Sequence, residues 1–145
     1  MHVYSRTVPD LEASGPALQV SVGASRELIA ALGPLGQTPP LPVSVSALVD
    51  TGAHTSVLNP DVVSRLGIRA VGTERISTPS TTTPIVCSRF HINLYFADDH
   101  VIENIFVIEA PMGGVPYQCL IGRDVLRLGS LLYEGHANAY TLTFP

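Results

Sequence analysis

Apolar and polar residues alternate over short stretches of this chain, and the stretches are separated by turn-forming residues. Residues 17–23 (Ala-Leu-Gln-Val-Ser-Val-Gly) alternate from Leu18 onward, the pattern of a half-buried strand. Residues 43–49 begin the same way but end in a continuous apolar run, Ala47-Leu48-Val49, so this strand drives its last residues into a core. Further strands are expected over 55–58, 70–76, 85–96, 101–109, 131–134 and 140–144, with an apolar strand end at 119–121. Ala97-Asp98-Asp99-His100 and Gly135-His136-Ala137-Asn138 read as hairpin connections. Helical spacing is brief. Ser25 can cap a short helix that ends before Gly33. Asn59-Pro60-Asp61 opens another, with Val62, Val63 and Leu66 as its apolar face and Gly67 as its stop. A third short turn follows Gly122, with Val125, Leu126 and Leu128 apolar. Residues 33–42 hold four prolines and two glycines and read as a loop. Residues 1–15 show no period and read as a loosely ordered lead-in. The expectation is a mostly all-β fold with one or two short helices: an N-terminal arm over 1–16 and one domain over 17–145.

Composition supports strands joined by turns. Hydrophobic residues make up 46% and charged residues 14%, and tryptophan is absent. That is too apolar for disorder, and poor enough in charge to hint at self-association. The net charge is −4, and the eight basic residues are all arginine with no basic stripe, which argues against nucleic acid as a partner. Cys87 and Cys119 lack metal spacing and read as buried free thiols. His2, His54, His91, His100 and His136 show no ligand pair at helical spacing, so neither metal nor cofactor is expected. No basic segment precedes an apolar one at the N-terminus, and no apolar run approaches the roughly 20 residues that span a bilayer. A soluble cytoplasmic protein without membrane contact is the expectation.

Two segments carry candidate chemistry. In Leu48-Val49-Asp50-Thr51-Gly52-Ala53 an apolar run ends in an acid at a tight turn, which would hold a carboxylate partly desolvated and fixed. Alone, Asp-Thr-Gly is also an ordinary turn. Downstream, Leu120-Ile121-Gly122-Arg123-Asp124-Val125-Leu126 carries an apolar strand end into a glycine and a short helix. Between them Ser77, Thr78, Pro79, Ser80, Thr81, Thr82, Thr83 and Pro84 would tip a hairpin, either as a mobile lid or as a plain solvent loop.

The two anchors in this order, with a candidate hairpin between them, resemble the retropepsin-like aspartic proteases, the single-domain relatives of pepsin that include retroviral proteases and bacterial homologues. The resemblance covers roughly residues 17–144, nearly the whole chain. It implies a closed β-barrel of the acid-protease type and hydrolysis of peptide bonds. It assigns Asp50 as the catalytic carboxylate, Thr51 as a brace between two copies of the loop, and Gly52 as the point where substrate backbone comes close. Ala53, His54, Leu48, Val57, Tyr117, Gln118 and Leu120 fall where the family places substrate contacts. Ile121 and Gly122, with Arg123 and Asp124, would support the Asp loop. Thr78, Pro79, Ser80, Thr81 and Thr82 would form the tip of a flap over residues 77–84.

One departure concerns His54. Many retroviral members have an Asp there that pairs with the arginine of the Gly-Arg segment. Arg123 must then find another partner: Asp124, a backbone carbonyl or Glu134. The motif also occurs only once. Family chemistry needs two carboxylates, so the resemblance implies a C2 homodimer acting on a peptide or protein substrate. The alternative is a non-hydrolytic peptide-binding or dimerisation module with the same fold.

Overall fold

The computed structural model describes residues 1–77 and 83–145. Among the described residues ten strands follow in chain order: β1 His2–Thr7, β2 Ala17–Ala24, β3 Val43–Val49, β4 Val57–Leu58, β5 Gly72–Ile76, β6 Ile85–Tyr95, β7 Val101–Glu109, β8 Cys119–Ile121, β9 Ser130–Glu134 and β10 Ala139–Phe144. The helices are few and short, namely α1 Leu11–Ser14, α2 Arg26–Leu32, α3 Pro60–Leu66 and α4 Arg123–Leu126.

Seven strands lie in the order β2-β3-β8-β4-β7-β6-β5, and a further pairing of β2 with β6 joins the ends of the first six into a closed barrel. Closure removes the free edges that an open sheet would leave. β5 hangs on the outside of β6, register Ile76↔Ile85 at its far end, so the β5–β6 hairpin projects from the barrel. The remaining strands form a three-stranded sheet in the order β1-β10-β9.

The core follows from the alternation. Leu18, Val20 and Val22 of β2 face Val43, Val45, Ala47 and Val49 of β3 from one side of the barrel. Ile92, Leu94, Ile105 and Val107 close it from the other, and all are buried. α3 is built as the sequence predicts. The Asn59 side chain accepts from the N–H of Asp61, Pro60 takes the first turn, and Gly67 (φ 63°) ends the helix in the left-handed conformation. Its Val62, Val63 and Leu66 are buried against the barrel. Ser25 caps α2, accepting from the N–H of Leu28.

The first 16 residues depart from the expected loose lead-in. β1 pairs along its whole length with β10, from His2↔Phe144 to Thr7↔Ala139. α1 is capped by Asp10 and buries Leu11. The sequence signal is absent because only Tyr4 of β1 is buried, so no period of two is written in it. Tyr4 stacks on Phe96, ring centroids 4.9 Å apart, and meets the edge of Phe144.

The terminal sheet touches the segment after α4 at one tight point. A Cβ on Gly129 would stand 2.1 Å from the carbonyl oxygen of Thr143 and 2.8 Å from the Phe144 ring. Gly129→Ala therefore forces backbone apart. We expect it to cost about 1–3 kcal/mol, read as a lower urea midpoint without a change in slope.

Candidate active site

The barrel delivers Asp50 by ending β3 at Val49, directly beside β8. β3 and β8 run parallel (Ala47↔Cys119, Val49↔Ile121), while β8 also pairs antiparallel with β4 (Val57↔Leu120). The chain from 50 to 56 is thus a loop whose two feet stand on either side of one strand. The Asp50 N–H donates to the Ile121 carbonyl at 2.9 Å, continuing the β3–β8 ladder one residue into the turn. The turn closes on itself: the Gly52 N–H donates to Asp50 Oδ1 at 2.9 Å, and the Ala53 N–H to the Asp50 carbonyl at 3.2 Å. Asp50 is half-buried, whereas Thr51, Gly52 and His54 are exposed.

The far foot of the loop is fixed by a serine and a carboxylate. Ser56 is buried, its N–H donates to Asp124 Oδ2 at 2.9 Å, and its hydroxyl donates to Asp124 Oδ1 at 2.7 Å. The same hydroxyl accepts the Gly122 N–H at 2.9 Å. Loop carbonyls in turn accept from the start of α4: Ala53 from the Arg123 N–H at 2.8 Å, and His54 from the Asp124 N–H at 3.2 Å. Two N–H groups that a helix start would otherwise leave unpaired are satisfied by the loop itself. Gly122 permits this contact. A Cβ there would lie 2.9 Å from the Ala53 oxygen and 2.9 Å from the Thr55 carbonyl carbon. The Arg123 guanidinium takes a backbone carbonyl, donating from Nη1 to Thr51 at 2.7 Å. Of its three candidate partners the structure selects that one.

Beside the loop lies a groove of about 470 Å³, lined by Gly52, Ala53, His54, Thr55, Val57, Glu74, Arg75, Ile76, Ser77 and Ile108. It runs between the Asp50 turn and the base of the β5–β6 hairpin. Ala53, His54 and Val57, expected as substrate contacts, line it together with Gly52. Leu48, Tyr117 and Leu120 do not. Leu48 is half-buried and pairs with Leu120 in register, while the Tyr117 hydroxyl donates to the Ser14 carbonyl. Gln118 is used internally, its Oε1 accepting the Ser46 N–H at 2.8 Å. Thr78, Pro79, Ser80, Thr81 and Thr82, expected at the hairpin tip, lie outside the described residues.

Sequence reasoning missed Ser56, Glu74, Arg75, Ile76 and Ile108. Ser56 had a readable signal: one small polar residue beside the apolar Val57-Leu58, where a buried hydroxyl must find partners. The groove residues of β5 and β7 had none, because only the fold brings those strands to the loop.

Both cysteines are free and buried. Burial, and secondarily the Asp124 carboxylate, push the Cys119 thiol up to about 12. Burial raises Cys87 as well, aided by Glu109 and Glu74. The thiolate is the reactive form, so neither should react with a disulfide reagent at pH 8 until the chain unfolds; fast native labelling of Cys119 would contradict this packing. Ser56→Ala leaves the buried Gly122 N–H without its acceptor, and we expect a loss of about 1–3 kcal/mol in urea unfolding.

Comparison with known proteins bears on this site. A family model described as aspartyl protease matches residues 41–125, which include the Asp50 loop, the groove strands and α4 up to Val125. No curated protein matches the chain. Among solved structures, a retropepsin-like aspartic protease from Rickettsia conorii is similar over 99% of this chain and 92% of its own, with a TM-score of 0.57 at 11% identity. The retroviral protease-like domain of Ddi1 from Leishmania major aligns over 88% of this chain and 93% of its own (20% identity, TM-score 0.47). The EIAV protease in complex with an inhibitor aligns over 77% and 85% (19% identity, TM-score 0.45). The Rickettsia structure shares the retropepsin-like fold with this chain.

Proposed function

Since this chain belongs to the aspartyl protease family, we propose that it is an endopeptidase whose active site is completed by two copies of Asp50. The observation that carries this reading is the Asp50 loop, anchored on both feet yet presenting Thr51 and Gly52 to solvent. A surface turn would need no such anchoring. A turn that must place a carboxylate within fractions of an ångström does.

The chemistry explains why one chain is insufficient. Water attack on a peptide carbonyl needs a base to take the water's proton and an acid to protonate the carbonyl oxygen. Two carboxylates about 3 Å apart cannot both ionise, so a pair shares one proton and supplies both roles, as in known aspartic-protease dyads. The motif occurs once, so the second carboxylate comes from a second chain across a two-fold axis. Thr51 of each copy braces the two loops. Gly52 leaves the approach to the carboxylates open, because it carries no side chain between them and the substrate. Exposed Val3 and Leu132, on one face of the terminal sheet, are apolar surface that a second copy would cover.

Substrate enters as an extended strand along the groove between the Asp50 turn and the β5–β6 hairpin, gaining main-chain hydrogen bonds on the way. Val57, Ile76 and Ile108 offer it apolar walls, with Ala53 and His54 beside the peptide. Residues 77–84 close over it as a flap and exclude water. Residues 17–145 carry this machinery, and His2–Thr7 of the N-terminal segment pair along its last strand.

Asp50→Asn replaces the carboxylate with an isosteric amide. Cleavage of a peptide library between pH 4 and 7 should fall below about a tenth of wild type, a loss of at least about 1.4 kcal/mol in transition-state stabilisation, while circular dichroism and sedimentation stay those of a folded dimer. Residual activity above that level would sink the assignment. Binding of peptides by wild type without any cleavage would favour a non-hydrolytic module.

A further inference from the structure

The five histidines show no ligand spacing along the chain, yet folding brings two of them to one place from distant parts of it. His2 opens β1, and Asp98 and His100 sit in the turn between β6 and β7. His2 Nδ1 lies 2.7 Å from Asp98 Oδ2, and the candidate ligand atoms of His2, Asp98 and His100 all fall within 4.8 Å of one another. We propose that these three residues form a binding site for a divalent transition-metal ion of the zinc type.

Donor chemistry favours that class. Two imidazole nitrogens and one carboxylate oxygen make a borderline set that suits zinc and its neighbours better than calcium or magnesium, which prefer oxygen alone. A fourth position is left for water.

The surroundings are arranged as a support. Tyr4 is buried, and its hydroxyl donates to Asp98 Oδ1, fixing the carboxylate while the other oxygen faces His2. The same hydroxyl stands 3.2 Å from His100 Nδ1. Phe96 and Phe144 pack against the His100 ring, with centroids 5.5 and 5.4 Å away, and restrict its rotation. His2 is the freer member. Its ring lies parallel to His100 at 3.9 Å, an arrangement that aims the two sets of in-plane lone pairs along separate planes. Closure on an ion requires the His2 ring to leave the stack and turn its nitrogen inward. Its half-buried place at a strand end allows that at the cost of one ring contact.

The consequence is structural. β1 belongs to the three-stranded sheet, and the β6–β7 turn belongs to the barrel. An ion held by all three residues fastens one to the other, and because the unfolded chain has no such site, binding stabilises the native state.

The site is independent of Asp50, so its test does not depend on proteolysis. The tag-free chain is titrated with zinc chloride by calorimetry and with cobalt chloride by visible absorption. We expect one ion per chain and a rise in Tm with zinc. Tyr4→Phe keeps the packed ring and removes only the hydroxyl, and it should weaken binding by about 10-fold. Asp98→Asn and His2→Gln should weaken it further, and His2→Gln should abolish the zinc-dependent rise in Tm while retaining the wild-type circular dichroism. Absence of saturable binding would overturn the proposal. So would binding that persists at wild-type affinity in both the Asp98→Asn and His2→Gln chains.

Discussion

The structure depends on how one loop is held from beneath. Residues 50–56 leave β3 and return as β4; the turn closes on itself, and its two feet are held mainly by β8 and the start of α4. The Ile121 carbonyl receives the Asp50 N–H, the Asp124 carboxylate receives both the N–H and hydroxyl of Ser56, and Gly122 lets the two segments touch. A charged acceptor makes stronger hydrogen bonds than a neutral one, and here it serves two donors on one buried residue. Remove that clamp, and Asp50 remains on a barrel but loses its fixed direction.

Closure of the barrel follows from the same region. β8 is three residues long and is sandwiched between β3 and β4. The β2–β6 pairing then joins the sheet to itself. The groove lies where this closed body meets the projecting β5–β6 hairpin, so its floor belongs to the barrel and one wall is a two-stranded extension.

Much of this was legible in the chain. Strands with one wet face announced themselves by alternation, and α3 by Asn59, Pro60 and Gly67, because local capping chemistry is written in adjacent residues. The pairing of Leu48–Ala53 with Leu120–Leu126 was visible only through the resemblance of the two segments, taken together, to a known family. β1 was not legible, since a strand with Tyr4 alone buried has no pattern. Neither was the meeting of His2 with His100, or of Glu74 and Ile108 with the Asp50 loop. Contacts across many tens of residues are set by topology, which single-sequence periodicity does not encode.

The central claim is that each active site takes one Asp50 from each of two chains, and subunit mixing tests it most directly. Wild type is combined with an equal amount of Asp50→Asn under conditions that allow exchange, and peptide cleavage is compared with that of the same total concentration of wild type alone. Random pairing leaves about one quarter of the dimers with two carboxylates, so activity should fall to about a quarter. Retention of about half the activity after verified exchange would mean that each chain works alone, and would contradict the account.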